Sequence, residues 1–373
     1  MRINFFKEKN KIRLNKNLDF DSDIAISNAN NESNNYLTAN SDNEYDHYGF
    51  EKNKEYTQVN NDDNKRNIEK YKKKIERRWQ LYFTFKRDIK KSYYLKSLIR
   101  KGIPDKLRPD IWPYLLDSMV LCLKYPTIYE KCLNSELESK VLSQIDLDII
   151  RTFPHNKNYR LNSPGLVQLK NVLRAFAVYK PKINYCQSMN FIAAITLIFL
   201  KEELAFWSIV QLIDSDYSHE KINISDYYNN EMRGLRRDII VIEELIRVKL
   251  PDVHLRLKEF DVDLSWICSE WLLCLFCTTF PITTTLRIWD CLFYEGDKII
   301  FRITLALFKL NQQKLCELNS LESILLLFKE TTKNMFECDK LMYIAFNEIG
   351  VLKKKTIRKL RLKAEDIIKN AVP

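Results

Sequence analysis

Glycine and proline are scarce in this chain, which contains only 6 Gly and 10 Pro among 373 residues. Sandwiches and barrels need many tight turns, and tight turns depend on these two residues. Their scarcity therefore argues against an all-β architecture and favours long helices. We find no internal repeat and no convincing β alternation. Because 46% of the residues are hydrophobic, a sizeable core is possible.

Apolar runs that could cross a membrane are also lacking. The run 189–200 is too short to span a bilayer, and the longer run 266–285 contains Glu270 and Pro281. The N-terminus has no apolar region of the kind that a secretory signal needs, and Arg2 stands where N-myristoylation requires glycine. The nine cysteines are odd in number and scattered through apolar segments, as buried reduced thiols are. We expect a cytoplasmic protein.

The net charge of +11 has several interpretations. A zinc finger, an RRM signature and a homeodomain-like arm are all missing, so we expect no nucleic-acid partner. The excess of basic residues is then either a solvated surface or a contact with an acidic partner or an anionic membrane. The basic C-terminal residues, 351–373, have two possible interpretations. They form a solvated helix that closes the domain, or they contact anionic lipid.

One motif supplies an arginine at the end of a helix. Residues 145–151 read IDLDIIR, an I-x-x-D-x-x-R pattern that contains Asp148 and Arg151. The spacing predicts a helix over 141–150, and Pro154 prevents it from extending far beyond Arg151. Arg151 should therefore lie where the helix meets a polar loop. A guanidinium in such a place can neutralise charge that spreads over phosphate oxygens.

A second motif supplies a glutamine. Tyr185 and Gln187 form a Y-x-Q pattern at the start of an apolar helix that we expect to begin near Tyr185. Backbone N–H groups at a helix N-terminus favour phosphate, and an amide can orient an attacking water. The chain has no phosphate-binding loop of its own. The two motifs therefore indicate a protein that completes the active site of another protein.

The motifs resemble those of the TBC domain, the family of GTPase-activating proteins for Rab GTPases. The first family signature is R-x-x-x-W after Gly-Ile-Pro, which Arg108 and Trp112 match after Gly102-Ile103-Pro104. I-x-x-D-x-x-R and Y-x-Q are the second and third. Later segments fit as well: Glu270-Trp271-Leu272, Phe280-Pro281, Arg287-Ile288-Trp289-Asp290 and Glu295-Gly296. Each motif alone is weak, but their shared order over roughly 99–350 is specific.

The resemblance implies the fold and the division of the chain. It implies an all-α array of many helices in two helical subdomains, the TBC domain, over residues 99–350. Before it we expect an Asn-rich disordered tail over 1–68, which we expect to be dispensable for catalysis, and a basic lead-in helix over 69–98. A basic C-terminal helix over 351–373 would follow the domain.

The resemblance also assigns roles to residues. Arg151 would be an arginine finger, and Gln187 would act in trans in place of the glutamine of the GTPase. Asp148 would orient Arg151 or pair with Arg108. Tyr185 would be a scaffold or interface residue, and Arg108 would be mainly architectural.

Trp112 would share that architectural role. The chain would need no cofactor of its own, because a GTP-bound Rab would bring both GTP and Mg²⁺. It would not be an enzyme on its own substrate. Vesicle trafficking would be the process it regulates, and it could lie peripherally on endomembranes.

Two departures from the family and two alternatives remain. The R-G-x-x-W form of the first signature is here Arg108-Pro109, which should be harmless at a helix start. The residue after the glutamine is usually Gly in TBC domains, and here it is Ser188, whose Cβ could reduce activity modestly. One alternative is a Rab-binding scaffold that uses the fold without catalysis. The other is a membrane-tethering adaptor whose basic ends contact the lipid.

Overall fold

Helices make up the structure. The computed structural model describes residues 44–52, 62–85, 89, 91–214, 222, 224–229, 231–336 and 338–370. Within these ranges there are α-helices, three short 3₁₀ helices and a π-helical segment, and the only β pairing consists of isolated bridges. The prediction of an all-α fold is confirmed.

Nine helices form the first part of the described chain. In chain order they are α1 (Asp62–Phe85), α2 (Tyr93–Arg100), α3 (Arg108–Leu116), α4 (Ser118–Lys124), α5 (Ile128–Asn134), α6 (Ser139–Ile150), α7 (Pro164–Tyr179), α8 (Met189–Phe199) and α9 (Glu202–Ile213). The central helix among them is α7, which packs against α5, α6, α8 and α9.

The helices of the second part are α10 (Arg233–Lys249), α11 (Pro251–Glu259), α12 (Ser265–Leu273), α13 (Ile282–Glu295), α14 (Lys298–Leu310), α15 (Gln312–Glu317), α16 (Leu321–Lys333), α17 (Asp339–Tyr343) and α18 (Lys354–Asn370). They pack around α10, which contacts α11, α12, α14 and α18. None of the described helices is long and apolar enough to cross a membrane.

Trp112 lies where the two groups of helices meet. Its ring centroid lies 5.0 Å from that of Phe199 in α8 and 5.0 Å from that of Phe293 in α13. Its indole N–H donates to Oδ1 of Asp290 at 2.8 Å. Large aromatic side chains stabilise a core through their buried area, and the N–H of a buried tryptophan needs an acceptor. Trp112 therefore joins α3 to both halves of the molecule.

Asp290 also binds Arg108, and both side chains are buried. Nε of Arg108 donates to Oδ1 of Asp290 at 3.1 Å, and Nη2 donates to Oδ2 at 3.0 Å. The backbone N–H of Ile103 donates to Oδ2 at 2.8 Å. Burial lowers the pKa of Arg108, but the carboxylates of Asp290 and Asp105 outweigh it, and the pKa is raised. The Gly-Ile-Pro segment and the first signature are thereby fixed to α13.

The predicted lead-in helix over 69–98 is in fact two helices. α1 begins at Asp62 and ends at Phe85, and α2 begins at Tyr93. The break has a local cause, because Ser92 is extended and its hydroxyl accepts from the N–H of Leu95 at 3.1 Å. This is an N-cap, which starts a new helix. Helical periodicity alone did not reveal it.

The predicted tail over 1–68 falls mostly outside the described residues. Two parts of that range are described, and both have structure. α1 already begins at Asp62, and residues 44–52 pack on the domain with Tyr48 buried. A segment with three aromatic residues, Tyr45, Tyr48 and Phe50, has enough apolar surface to dock, although the average composition of the tail conceals it. The dispensability of residues 1–68 for catalysis is untested and stays a prediction, but the docking of residues 44–52 argues against it for that part of the tail.

The basic C-terminal segment contains α18, which packs along α10. Arg361 donates to both carboxylate oxygens of Asp238, at 2.8 and 2.6 Å, and also pairs with Asp297. The side chains of Ile357 and Ile368 are buried on the same helix. This packing agrees with a helix that closes the domain. Contact with anionic lipid stays a prediction.

Candidate functional site

Asp148 is the buried centre of the candidate site. Its side chain is 0% exposed, although a carboxylate rarely occupies such a place without partners. Oδ2 accepts from the hydroxyl of Tyr185 at 2.6 Å, and Oδ1 accepts from the amide of Gln144 at 3.1 Å. Oδ1 also pairs with the guanidinium of Arg151. The second and third motifs thus meet at one carboxylate.

Arg151 lies at the C-terminal end of α6, as the motif predicts, and its side chain is 53% exposed. Asp148 is three residues earlier, so the two side chains share one face of the helix. Of the two pairings that the sequence allowed for Asp148, the structure contains the one with Arg151. The other is absent among the described contacts, because Arg108 pairs with Asp105 and Asp290.

Tyr185 supports Asp148 at the carboxylate oxygen that Arg151 and Gln144 leave free, Oδ2. Burial raises the pKa of the Tyr185 phenol, and the hydrogen bond to Asp148 raises it further. The phenol therefore stays protonated near neutral pH and donates a hydrogen bond to the carboxylate. This arrangement fits a scaffold residue that holds the two segments together.

Gln187 lies in the turn before α8 and is exposed. The sequence placed the start of this helix near Tyr185, but α8 begins at Met189. The reason is Ser188, which has φ +92° and ψ −30° and so interrupts the helical geometry. Gln187 therefore precedes the helix and projects from a turn.

Asn190 joins the two motifs, and the sequence analysis missed it. The side chain is buried; its Nδ2 donates to Oγ1 of Thr152 at 2.8 Å, and its Oδ1 accepts from the N–H of Ser188 at 3.0 Å. Thr152 follows Arg151, and Ser188 follows Gln187. A polar residue inside the apolar run of α8 was the available signal, because buried amides require partners.

Ser188→Gly is expected to stabilise the protein. A side chain at positive φ costs about 1–2 kcal/mol, and glycine avoids that cost while adding some entropy to the unfolded chain. We expect the free energy of unfolding, measured with urea, to rise by roughly 0.5–1 kcal/mol. Ser188→Ala is the control, because it removes the hydroxyl and keeps the Cβ. Equal stability of the two variants would show that the positive φ of residue 188 does not strain the backbone.

The surface beside Arg151 is apolar. Leu147 and Ile150 lie on α6, with side chains 65% and 57% exposed, whereas Ile145 and Ile149 of the same helix are buried. Leu147 and Arg151 are four residues apart and so lie on one face.

Among the described residues, no group of three or more His, Cys, Asp or Glu side chains could hold a metal ion.

Fold and site together define an all-α domain that holds two polar side chains, Arg151 and Gln187, at its surface on one buried polar frame. The model of the Rab-GTPase-TBC domain matches residues 105–316. The chain belongs to this family.

Relatives in animals share much of the chain. It is 37% identical over 278 residues to growth hormone-regulated TBC protein 1 of Homo sapiens, covering 73% of this chain and 81% of that protein. It is 36% identical over 279 residues to TBC1 domain family member 2A of Homo sapiens, covering 74% of this chain but 29% of that longer protein.

Solved structures have the same fold. The TBC domain of a Chlamydomonas flagellar RabGAP aligns with a TM-score of 0.70 and 29% identity, covering 82% of this chain and 100% of that one. The Ypt/Rab-GAP domain of Gyp1p aligns with a TM-score of 0.61 and 20% identity, covering 75% of this chain and 99% of that one. The second likeness concerns the fold alone.

Proposed function

We propose that this protein accelerates GTP hydrolysis by a Rab-type small GTPase and supplies Arg151 and Gln187 in trans. The observation that carries the proposal is the pair of exposed side chains on one frame of the buried Asp148 and Asn190 and the half-buried Tyr185. Such a frame fixes the backbone under both side chains while their polar ends stay accessible. Family membership supports a Rab as the partner.

Arg151 would stabilise the charge that develops on the phosphate oxygens. Its guanidinium is planar and can donate two parallel hydrogen bonds to two oxygens. In the free protein it pairs with Asp148, which accepts from Tyr185 and Gln144 as well. Because Asp148 is already held by two other donors, it can keep the arginine oriented without needing to move.

Gln187 would place the attacking water. Its amide both donates and accepts, as this task requires. The residue lies in the turn ahead of α8, where the backbone N–H groups of the helix start and the helix dipole favour a negatively charged phosphate. Ser188 and Asn190 fix this turn through the bond between the Ser188 N–H and the Asn190 amide.

The partner would bring the nucleotide. A GTP-bound Rab would carry both GTP and Mg²⁺, so this chain would need no cofactor. The exposed Leu147 and Ile150 beside Arg151 would contact the GTPase, since apolar patches mark interaction sites. A role in vesicle trafficking and a cytoplasmic location, peripheral on endomembranes, stay predictions.

A hydrolysis screen tests the proposal. The purified chain is added to a panel of GTP-loaded Rabs, and phosphate release is followed under single-turnover conditions. We expect at least one Rab to be accelerated by roughly 10³-fold or more, the usual effect of a finger supplied in trans. A Rab that binds without acceleration would favour the scaffold alternative, and acceleration of none would contradict the proposal.

A further inference from the structure

Residues 44–52 lie against the loop that follows Arg151. Two backbone hydrogen bonds join them: Glu51 N–H donates to the carbonyl of His155 at 3.0 Å, and Lys157 N–H donates to the carbonyl of Gly49 at 2.8 Å. Phe50 and Asn156 form an isolated antiparallel bridge. The loop therefore has a backbone partner from a distant part of the chain.

We propose that residues 44–52 form a clamp that positions Arg151, with Tyr48, Gly49 and Phe50 as its positioning residues. The proposal rests on the proposed function, because a positioning effect requires a finger to position. It adds a segment well outside the family motifs and far from Arg151 in sequence.

Phe50 connects the clamp to both finger segments through aromatic contacts. Its ring centroid lies 5.3 Å from that of Phe153, and Phe153 lies 5.2 Å from Phe191 in α8. Phe153 is two residues after Arg151 and has φ +45°, a left-handed conformation that bulky side chains rarely adopt. Strained backbone of this kind persists only where its surroundings hold it. The rings of Phe50 and Phe191 are those surroundings.

Asn156 is the polar link between loop and clamp. Its side chain is 0% exposed, and its Nδ2 donates to the carbonyl of Tyr48 at 3.1 Å. Its Oδ1 accepts from the N–H of Asn158 at 2.9 Å and so caps the short helix Lys157–Tyr159. Without the clamp this buried amide would lose its acceptor, a cost that favours the docked segment.

Gly49 allows the close approach. It has φ +90°, and an added Cβ would lie 2.9 Å from Oδ1 of Asn156 and 2.9 Å from Nδ2 of Asn158. Any other residue would have to displace these two side chains, and Oδ1 of Asn156 is held in place by its bond to the N–H of Asn158. The site thus needs glycine both for its backbone conformation and for space.

Tyr48 anchors the other end of the clamp to the first signature. Its hydroxyl lies 2.9 Å from Oδ1 and 3.0 Å from Oδ2 of Asp105, and Asp105 pairs with the buried Arg108. The exposed pair of Glu51 with His155, at 3.2 Å, contributes little because solvent screens it. The clamp therefore ties the loop after Arg151 to the rigid Arg108–Asp290 network.

Gly49→Ala in the full chain tests the clamp. We expect the maximal single-turnover rate with an accepted Rab to fall by roughly tenfold or more, because small misplacements of catalytic groups have large effects. The protein concentration that gives half the maximal rate should change by less than about twofold, since the clamp acts through Arg151 and not through docking. Phe50→Ala adds no backbone strain, and it too should lower the maximal rate while leaving the half-saturating protein concentration nearly unchanged.

Gly350→Ala is the matched control. Gly350 also has a positive φ, +71°, but nothing lies within 4 Å of an added Cβ. It tests the effect of backbone strain alone, and its maximal rate should stay within about twofold of the wild type. Thermal unfolding of all three variants separates loss of positioning from loss of folded protein.

The outcomes are distinguishable. A wild-type protein that accelerates no Rab overturns the proposed function and the clamp's role with it. An active wild type with fully active Gly49→Ala and Phe50→Ala variants overturns the clamp alone. A higher protein concentration at half the maximal rate, with the maximal rate itself unchanged, would also overturn the clamp. The segment would then contribute to docking.

Discussion

Replacement of Arg151 by alanine is expected to lower the rate of Rab GTP hydrolysis by roughly 10³- to 10⁵-fold at saturating protein. The guanidinium would interact with charge that appears only in the transition state, so its loss should reduce the maximal rate more than binding. The protein should stay folded but lose some stability: the buried Asp148 keeps its bonds from Tyr185 and Gln144 but loses its cationic partner. Single-turnover phosphate release and thermal unfolding measure the two effects.

Arg151→Lys should be nearly as inactive as Arg151→Ala. Lysine keeps the positive charge but loses the planar fork that bridges two oxygens. Recovery of most of the activity by lysine would show that Arg151 acts as a point charge, which contradicts the geometric role proposed for it.

Arg247→Ala is the control for Arg151→Ala. Arg247 pairs with an acidic residue three positions away, Glu244 at 2.7 Å, and its side chain is 54% exposed. It therefore matches Arg151 in its own exposure and in the spacing to its partner, although Glu244 is partly exposed and Asp148 is buried. Arg247 lies on α10, outside the two motifs. We expect hydrolysis to be unchanged. A large loss with this variant would indicate a general effect of surface charge.

Gln187→Ala is expected to cut the maximal rate of hydrolysis by roughly 10²-fold or more while leaving Rab binding largely intact. The amide would contribute in the transition state more than in the ground-state complex. The protein should stay folded, because Gln187 lies exposed in a turn. Stopped-flow phosphate release, compared with affinity for a GTP-analogue complex of the same Rab, separates rate from binding.

Gln313→Ala is the control for Gln187→Ala. Gln313 is another exposed glutamine, and it lies on α15 in the second group of helices. We expect wild-type rates from it. If Gln187→Ala lowered the affinity for the Rab by as large a factor as the hydrolysis rate, Gln187 would belong to the docking surface instead.

Local features of the sequence predicted local features of the structure. The motif spacing places Asp148 and Arg151 on one helical face, and the two residues pair there. The motif also predicts a helix that ends close to Arg151 because of Pro154, and α6 ends at Ile150. These predictions succeeded because each depends on residues within one turn of a helix.

Contacts between distant segments could not be predicted in the same way. The bond from Asn190 to Thr152 and the docking of Gly49 on Asn156 join residues that are far apart in the chain. No periodicity encodes such a contact. The start of α8 was also misplaced, because a serine gives no warning that its φ is positive.

Hydrolysis by a Rab whose own switch glutamine has been replaced separates the role of Gln187 from that of the GTPase's own glutamine. If Gln187 supplies the amide in trans, the wild-type protein should still accelerate this Rab, although losing that glutamine normally abolishes turnover. Gln187→Ala and Arg151→Ala should each fail on the same substrate. The account would be contradicted if the wild-type protein did not accelerate the glutamine-less Rab while Gln187→Ala stayed fully active on the unaltered one.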